Sequence, residues 1–135
     1  MEKRGTGVKG LAKGRAFVVK DGASRNPFEN IPPGSILVAR TVSLSDSALI
    51  NFHNVVGLVT EEDDPAGHVR VIARGIGIPA IVGIQGCTSD IFSGDRMLIR
   101  NLDVVVNPDL ETVNEYERLR SEADTQLSLD LHSDA

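Results

Sequence analysis

Two short apolar runs, Val55-Val56-Gly57-Leu58-Val59-Thr60 and Ala80-Ile81-Val82, flank a segment of helical periodicity. No other feature restricts the fold of this chain as much. The first run does not alternate apolar with polar residues, which is the pattern of a strand buried on both faces. Between the runs, Val69, Ile72, Ala73 and Ile76 recur at i, i+3, i+4 and i+7 and form one apolar helix face. Strand, helix and strand interleaved in this way call for an α/β fold with a mixed sheet.

The remaining pattern is consistent with that class. Gly5, Gly7, Gly10 and Gly14 read as tight turns or bulges leading into a strand over 15–20. Their spacing to lysine is not that of a phosphate-binding P-loop. Residues 21–34 are a loop by composition, and 36–42 are a β-branched strand. Ser43 or Ser45 is placed to cap a short helix over 47–52, which Asn54 ends. MLIR and DVVVN face each other across Asn101-Leu102 as a hairpin, after a turn at Ser93-Gly94-Asp95. Pro108-Asp109 opens a charged helix over 110–123 with one narrow apolar stripe. This reading gives a folded domain over 1–122 and a tail, 123–135, expected to be disordered.

Composition excludes several classes of partner. The 135 residues suit one domain with a real core. A net charge of −5 argues against nucleic acid or anionic membrane, which call for clustered Lys and Arg. Without Trp and with one Tyr, the chain lacks aromatic platforms for bases. Its one cysteine suits a reducing compartment. No run is long enough to span a membrane and no signal-peptide apolar region opens the chain, so a cytoplasmic location is expected. Composition leaves the oligomeric state open.

The acidic stretch Glu61-Glu62-Asp63-Asp64 leads into the helix. Asp64-Pro65 reads as an N-cap followed by proline in the first turn, giving a helix over about 65–76 closed by Gly77 and Pro79. His68 then sits in that first turn, near outward-pointing N–H groups that favour anions. Arg70 and Arg74 are expected on the opposite side of the helix. A neutral imidazole there is a nucleophile able to accept a phosphoryl group; the plain alternative is a surface histidine. His53 and His132 have weaker settings, one ending a short helix and one in the tail. No second His or Cys stands at metal-ligand spacing from His68.

The stretch VVGLVTEEDDPAGHVRVIARGIGIPAIVG resembles the swivelling phosphohistidine domain of phosphoenolpyruvate-utilising enzymes. That family includes enzyme I of the sugar phosphotransferase system, phosphoenolpyruvate synthase and pyruvate phosphate dikinase. Its pattern of G-hydrophobic-x-T, then G-G-x-T-S-H, A-R and P-A-x-V-G falls on Gly57, Thr60, His68, Ala73, Arg74, Pro79, Ala80, Val82 and Gly83 without a gap. GVKGLAKGRAFVV, PPGSILVARTVSLSDSALI and SGDRMLI are similar to further family segments, so the likeness covers roughly residues 5–120.

The resemblance implies a swivelling β/β/α domain, a mixed sheet in a flattened barrel-like sandwich with short helices. It also implies a phosphoryl carrier with His68 as acceptor, and Arg70, Arg74 and Thr60 as candidate binding residues. No cofactor is expected to be bound by this domain alone. The donor, phosphoenolpyruvate or ATP, is expected to reach it through a partner domain or protein. The stretch between Lys20 and Ile36 has no room for the helical domain that enzyme I inserts there.

The chain departs from the pattern beside His68. Asp63 and Asp64 replace the glycine pair, Ala66 the Thr and Gly67 the Ser. Each pair of like unit charges at about 4 Å costs on the order of 1 to 4 kcal/mol, depending on solvation. Three readings follow. They are a phosphohistidine carrier, a degenerate module that keeps the fold for binding or regulation, and an independent enzyme pairing Asp63 or Asp64 with His68 as acid and base.

Overall fold

The computed structural model describes residues 1–20 and 26–133, with 127–133 as backbone only. In chain order the strands are β1 (Glu2–Arg4), β2 (Thr6–Val8), β3 (Gly10–Val18), β4 (Ser35–Ala39), β5 (Val55–Thr60), β6 (Ala80–Val82), β7 (Arg96–Asn101) and β8 (Asp103–Val106). The helices are α1 (Leu44–Ser47), α2 (His68–Ile76), α3 (Cys87–Asp90) and α4 (Leu110–Ser133). All eight strands form one mixed sheet in the order β1-β8-β7-β3-β4-β5-β6-β2. The centre, β3 to β6, is parallel, and the flanking pairs are antiparallel. The expected α/β class with a mixed sheet is therefore present, with the β5–α2–β6 crossover inside it.

The edges of this sheet are consecutive in sequence. β1 pairs with β8 at one end and β2 with β6 at the other, and Gly5 alone joins them. An extended chain advances at most about 3.6 Å per residue, so Arg4 and Thr6 hold the two edges within about 7 Å. The sheet is thus curled until its ends nearly meet. No ladder joins β1 to β2, so it is not closed as a barrel would be.

Curling divides the apolar residues into three sets. Ile36, Val38, Val59 and Ile81 point inward and meet Ala12, Met97, Ile99 and Val104 from the other half of the sheet. Leu37, Leu58 and Ala80 point outward beneath Val69 and Ala73 of α2. Leu98 and Val105 point outward beneath Val113 and Tyr116 of α4. Neighbouring residues of β4 thus serve two different cores, which is why its sequence does not alternate.

Several expected boundaries move. Gly7, Gly10 and Gly14 are strand residues rather than turns, while Gly5 is the corner between β1 and β2; β3 begins at Gly10 and ends at Val18 instead of spanning 15–20. A Cβ on Gly14 would lie 2.2 Å from the Gly34 carbonyl oxygen, and one on Gly5 would lie 2.4 Å from that of Val82. Close backbone approach is what both positions require, and at Gly5 the chain also passes from one sheet edge to the other. The strand expected over 36–42 is Ser35–Ala39. Ser43, not Ser45, caps α1 in a reciprocal box with Asp46, and a 3₁₀ turn at Phe52–Asn54 follows. The helix expected over 47–52 is not formed. The hairpin has the expected turn, with Met97 opposite Val106 and Arg100 opposite Asp103. α3 carries no periodicity long enough to announce it in the sequence. α4 continues past residue 122 to Ser133, through most of the segment expected to be a disordered tail. Residues 21–25 of the expected loop lie outside the described residues.

Two alanine substitutions separate these roles. Gly14→Ala is expected to lower stability by about 1–3 kcal/mol, because backbone must shift. Gly75→Ala, in the interior of α2 with open space around it, is expected to raise stability by roughly 0.5–1 kcal/mol. Denaturant midpoints at constant slope check both.

Candidate functional site

α2 begins three residues later than the Asp64-Pro65 signal suggests. Asp64-Pro65-Ala66-Gly67 forms a turn instead, with the Gly67 N–H donating to the Asp64 carbonyl at 3.0 Å. Asp, Pro and Gly stand at the first, second and fourth positions, where such turns favour them. Gly67 at φ +76 is the backbone N-cap and supplies no side-chain cap.

The Asp64 side chain takes over that role from outside the helix. Its carboxylate accepts the N–H of Val69 at 3.1 Å and of Arg70 at 3.2 Å. Arg70 Nη1 donates to the same carboxylate at 3.2 Å and to the Asp64 carbonyl at 3.1 Å. The Asp64 side chain is 4% exposed and that of Arg70 27%. Asp64 itself adopts φ +58, a left-handed conformation that Asp tolerates better than most residues. The anion-favouring end of α2 is therefore occupied by a carboxylate from the chain itself.

The other three acids have separate positions. Glu61 Oε1 accepts the backbone N–H of Thr88 at 2.9 Å and also its hydroxyl, at the start of α3. Glu62 pairs with Arg40. Asp63 is exposed, with its carboxylate over Gly83, where a Cβ would lie 2.5 Å from Oδ1. Three of the four carboxylates are engaged by donors of the fold, so they are not a free charge wall in front of His68.

His68 is the first residue of α2 and is exposed. Among the described residues, no hydrogen bond or ion pair holds its imidazole. Arg70 does not lie on the far side of the helix as expected. Side chains lean toward a helix N-terminus, and this one reaches back to Asp64, to the Asp63 carbonyl at 3.4 Å and to Thr6 Oγ1 at 3.3 Å. Arg74 is exposed. Thr60 is buried, and its hydroxyl donates to the Glu62 carbonyl at 3.0 Å, which fixes the acidic loop. The expected apolar face of α2 is narrower than the sequence suggests. Val69 and Ala73 are fully buried, whereas Ile76 is 41% exposed.

Asp64 is already engaged with three donors, so the acid/base pairing of Asp64 with His68 finds no support in this geometry. Cys87 is equally unsuited to nucleophilic work. Burial above all, helped by the Glu61 carboxylate, pushes its thiol from 9.0 up to about 12. His53 lies in the 3₁₀ turn, its backbone N–H donating to Asn51 Oδ1. The side chain of His132 lies outside those described. Among the described residues, no group of three or more His, Cys, Asp or Glu is placed to hold a metal ion. No helix among them is long and apolar enough to cross a membrane.

Asp64→Ala is expected to cost about 2–3 kcal/mol, since it strips a buried acceptor from two helix N–H groups and an arginine. Asp63→Ala is expected to stay within about 0.5 kcal/mol of the parent. Urea unfolding compares the two. The Cys87 thiol has its raised pKa only when folded. Its contribution to stability is therefore complete below about pH 9 and is lost as pH rises from 9 toward 12. Thermal midpoints through that range are expected to fall less steeply in Cys87→Ala than in the parent.

Comparison with known proteins bears on this arrangement. A model of the family described as "PEP-utilising enzyme, mobile domain" matches residues 31–102, which include α2 and its acidic loop. The phosphoenolpyruvate-protein phosphotransferase of Bacillus subtilis (strain 168) is 36% identical over 84 residues, 61% of this chain. That of Bacillus sp. (strain S) is 31% identical over 93 residues, 67% of this chain. The chain spans only 15% and 16% of the length of these two relatives. A solution structure described as Enzyme I (nEIt) superposes with a TM-score of 0.65 and 28% identity, over 72% of this chain and 40% of the other. The family model covers more than half of the chain, and the chain belongs to the family of mobile domains of phosphoenolpyruvate-utilising enzymes.

Proposed function

We propose that this domain is a phosphoryl carrier in which His68 is the acceptor. The observation that carries the reading is the placement of His68 within the matched family segment. It stands exposed, without a hydrogen-bond partner among the described residues, as the first residue of a helix anchored by Asp64. In the transfer step a neutral ring nitrogen attacks the donor's phosphorus. The N–P bond forms as the P–O bond to the leaving oxygen breaks, and that oxygen keeps the electron pair. The donor is phosphoenolpyruvate, or ATP, held by a partner domain or protein.

The Asp64 cap bears on how the phosphoryl group is held. The N–H groups of Val69 and Arg70, which would otherwise serve an anion at the helix end, are committed to Asp64. Arg74 is the cation of α2 left free for a phosphoryl group, while Arg70 has to leave Asp64 to contribute. Thr60 supports the loop from beneath. A weakly held group passes on more readily than a tightly held one, which suits a carrier.

The test is incubation with labelled phosphoenolpyruvate and the phosphoenolpyruvate-binding part of a homologous phosphotransferase. Expected is an acid-labile, base-stable label on the parent protein that His68→Ala abolishes. A parent that never labels supports the degenerate-module reading instead, and a label surviving in His68→Ala overturns His68 as the acceptor. Arg74→Gln is expected to slow labelling by about threefold to tenfold, the effect of one exposed charge.

A further inference from the structure

The outward face of β3 and β7 distributes its charges unevenly. Leu11, Lys13 and Arg15 alternate outward on β3, as do Arg96, Leu98 and Arg100 on β7. The ladder sets Leu11 opposite Arg100, Lys13 opposite Leu98 and Arg15 opposite Arg96. At one end Arg100 is surrounded by carboxylates, with Glu2 at 2.8 Å, Glu115 at 3.3 Å and Asp103 at 3.9 Å. In the middle Lys13 pairs with Glu117 of α4.

At the other end the pattern breaks. Arg15 and Arg96 stand directly opposite each other, and neither has a carboxylate partner among the described residues. Arg15 Nη1 donates to the Gly94 carbonyl at 2.9 Å. Two acids that flank β7 and α4 are engaged elsewhere, Asp95 with the N–H of Phe92 and Asp109 with that of Thr112. Like charges directly opposed across a ladder disfavour it. Among the described residues, the acids of this chain leave the pair without a counterion.

The pair borders a cavity of about 310 Å³ lined also by Lys13, Leu98, Pro108 and Val113. Leu98 is buried at its base, and Val113 packs against it. A cavity of this size, with Leu98 and Val113 on one side and Arg15 and Arg96 on the other, fits a small organic anion. Guanidinium forks match phosphate oxygens, and two of them balance the two charges of a phosphate monoester. We propose that the cavity between β3, β7 and the start of α4 binds a small organic phosphate monoester. Arg15 and Arg96 hold the phosphate, and Leu98 and Val113 take the apolar body. This site lies under α4, away from α2 and His68, and does not depend on His68 being phosphorylated.

The test is a titration of the ¹⁵N-labelled protein with phenyl phosphate, benzoate and inorganic phosphate, followed by amide shifts. Phenyl phosphate is expected to give saturable shifts centred on Arg15, Arg96 and Val113. Inorganic phosphate is expected to shift the same residues more weakly, and benzoate less than phenyl phosphate. Arg15→Gln and Arg96→Gln, both at exposed positions, are expected to weaken phenyl phosphate binding about tenfold to a hundredfold. Arg118→Gln, an equal charge change further along α4, is expected to leave it unchanged. Absence of saturation, or shifts that persist in both arginine variants, overturns the proposal. So does benzoate binding as tightly as phenyl phosphate, because it removes the phosphate from the recognition.

Discussion

The first eight residues hold the molecule together across its open edges. β1 completes the hairpin side of the sheet against β8, and β2 completes the crossover side against β6. At the corner, the Gly5 N–H donates to the Leu102 carbonyl at 3.1 Å, while a Cβ on Gly5 would strike the Val82 carbonyl oxygen. Each edge strand is only three residues long and neither would be stable alone. Because one residue joins them, pairing at one edge sets the position of the other. The inner core of Ile36, Val59, Ile81, Met97 and Ile99 exists only because the sheet is held in that curl.

The same segment reaches the histidine helix. β2 pairs with β6, the strand that receives the chain from α2, and Thr6 Oγ1 accepts from Arg70. Arg70 in turn holds Asp64, and Asp64 caps α2. Beneath them Thr60 fixes the Glu62 carbonyl, while Gly83 and Ile84 donate to Glu62 and Thr60. His68 thus sits on a tightly anchored helix start while its own side chain is left unbound. Such a group meets partners without first breaking contacts within its own domain.

Much of this was readable from the sequence, and what escaped it has identifiable physical causes. β5, α2, β6 and the β7–β8 hairpin were legible, because buried runs, helical spacing and a two-residue turn are local signals. Gly14 reads as a turn in the sequence but lies within β3, because the Gly34 carbonyl it admits is not a local neighbour; Gly5 is a corner as the sequence suggests. The Asp-Pro pair fits both a helix cap and a turn, and Gly67 decides for the turn by taking the left-handed conformation. Four consecutive acids looked like uncompensated charge, since nothing local shows that Thr88, Arg40 and Arg70 receive three of them. The role proposed for His68 rests on the family pattern; periodicity alone gives a surface histidine. Neither pattern nor periodicity pointed to the Arg15–Arg96 pair, which only the ladder register creates.

The central claim is that His68 accepts a phosphoryl group while the Asp64 cap stays in place. Long-range ¹H–¹⁵N spectra of the histidine rings, with ³¹P coupling, read both parts in one sample after exposure to phosphoenolpyruvate and a homologous donor domain. The account predicts a ring nitrogen of His68 coupled to phosphorus, with the Val69 and Arg70 amide resonances still those of N–H groups bonded to Asp64. A spectrum in which no nitrogen of His68 couples to phosphorus under conditions that load a homologous mobile domain would contradict it.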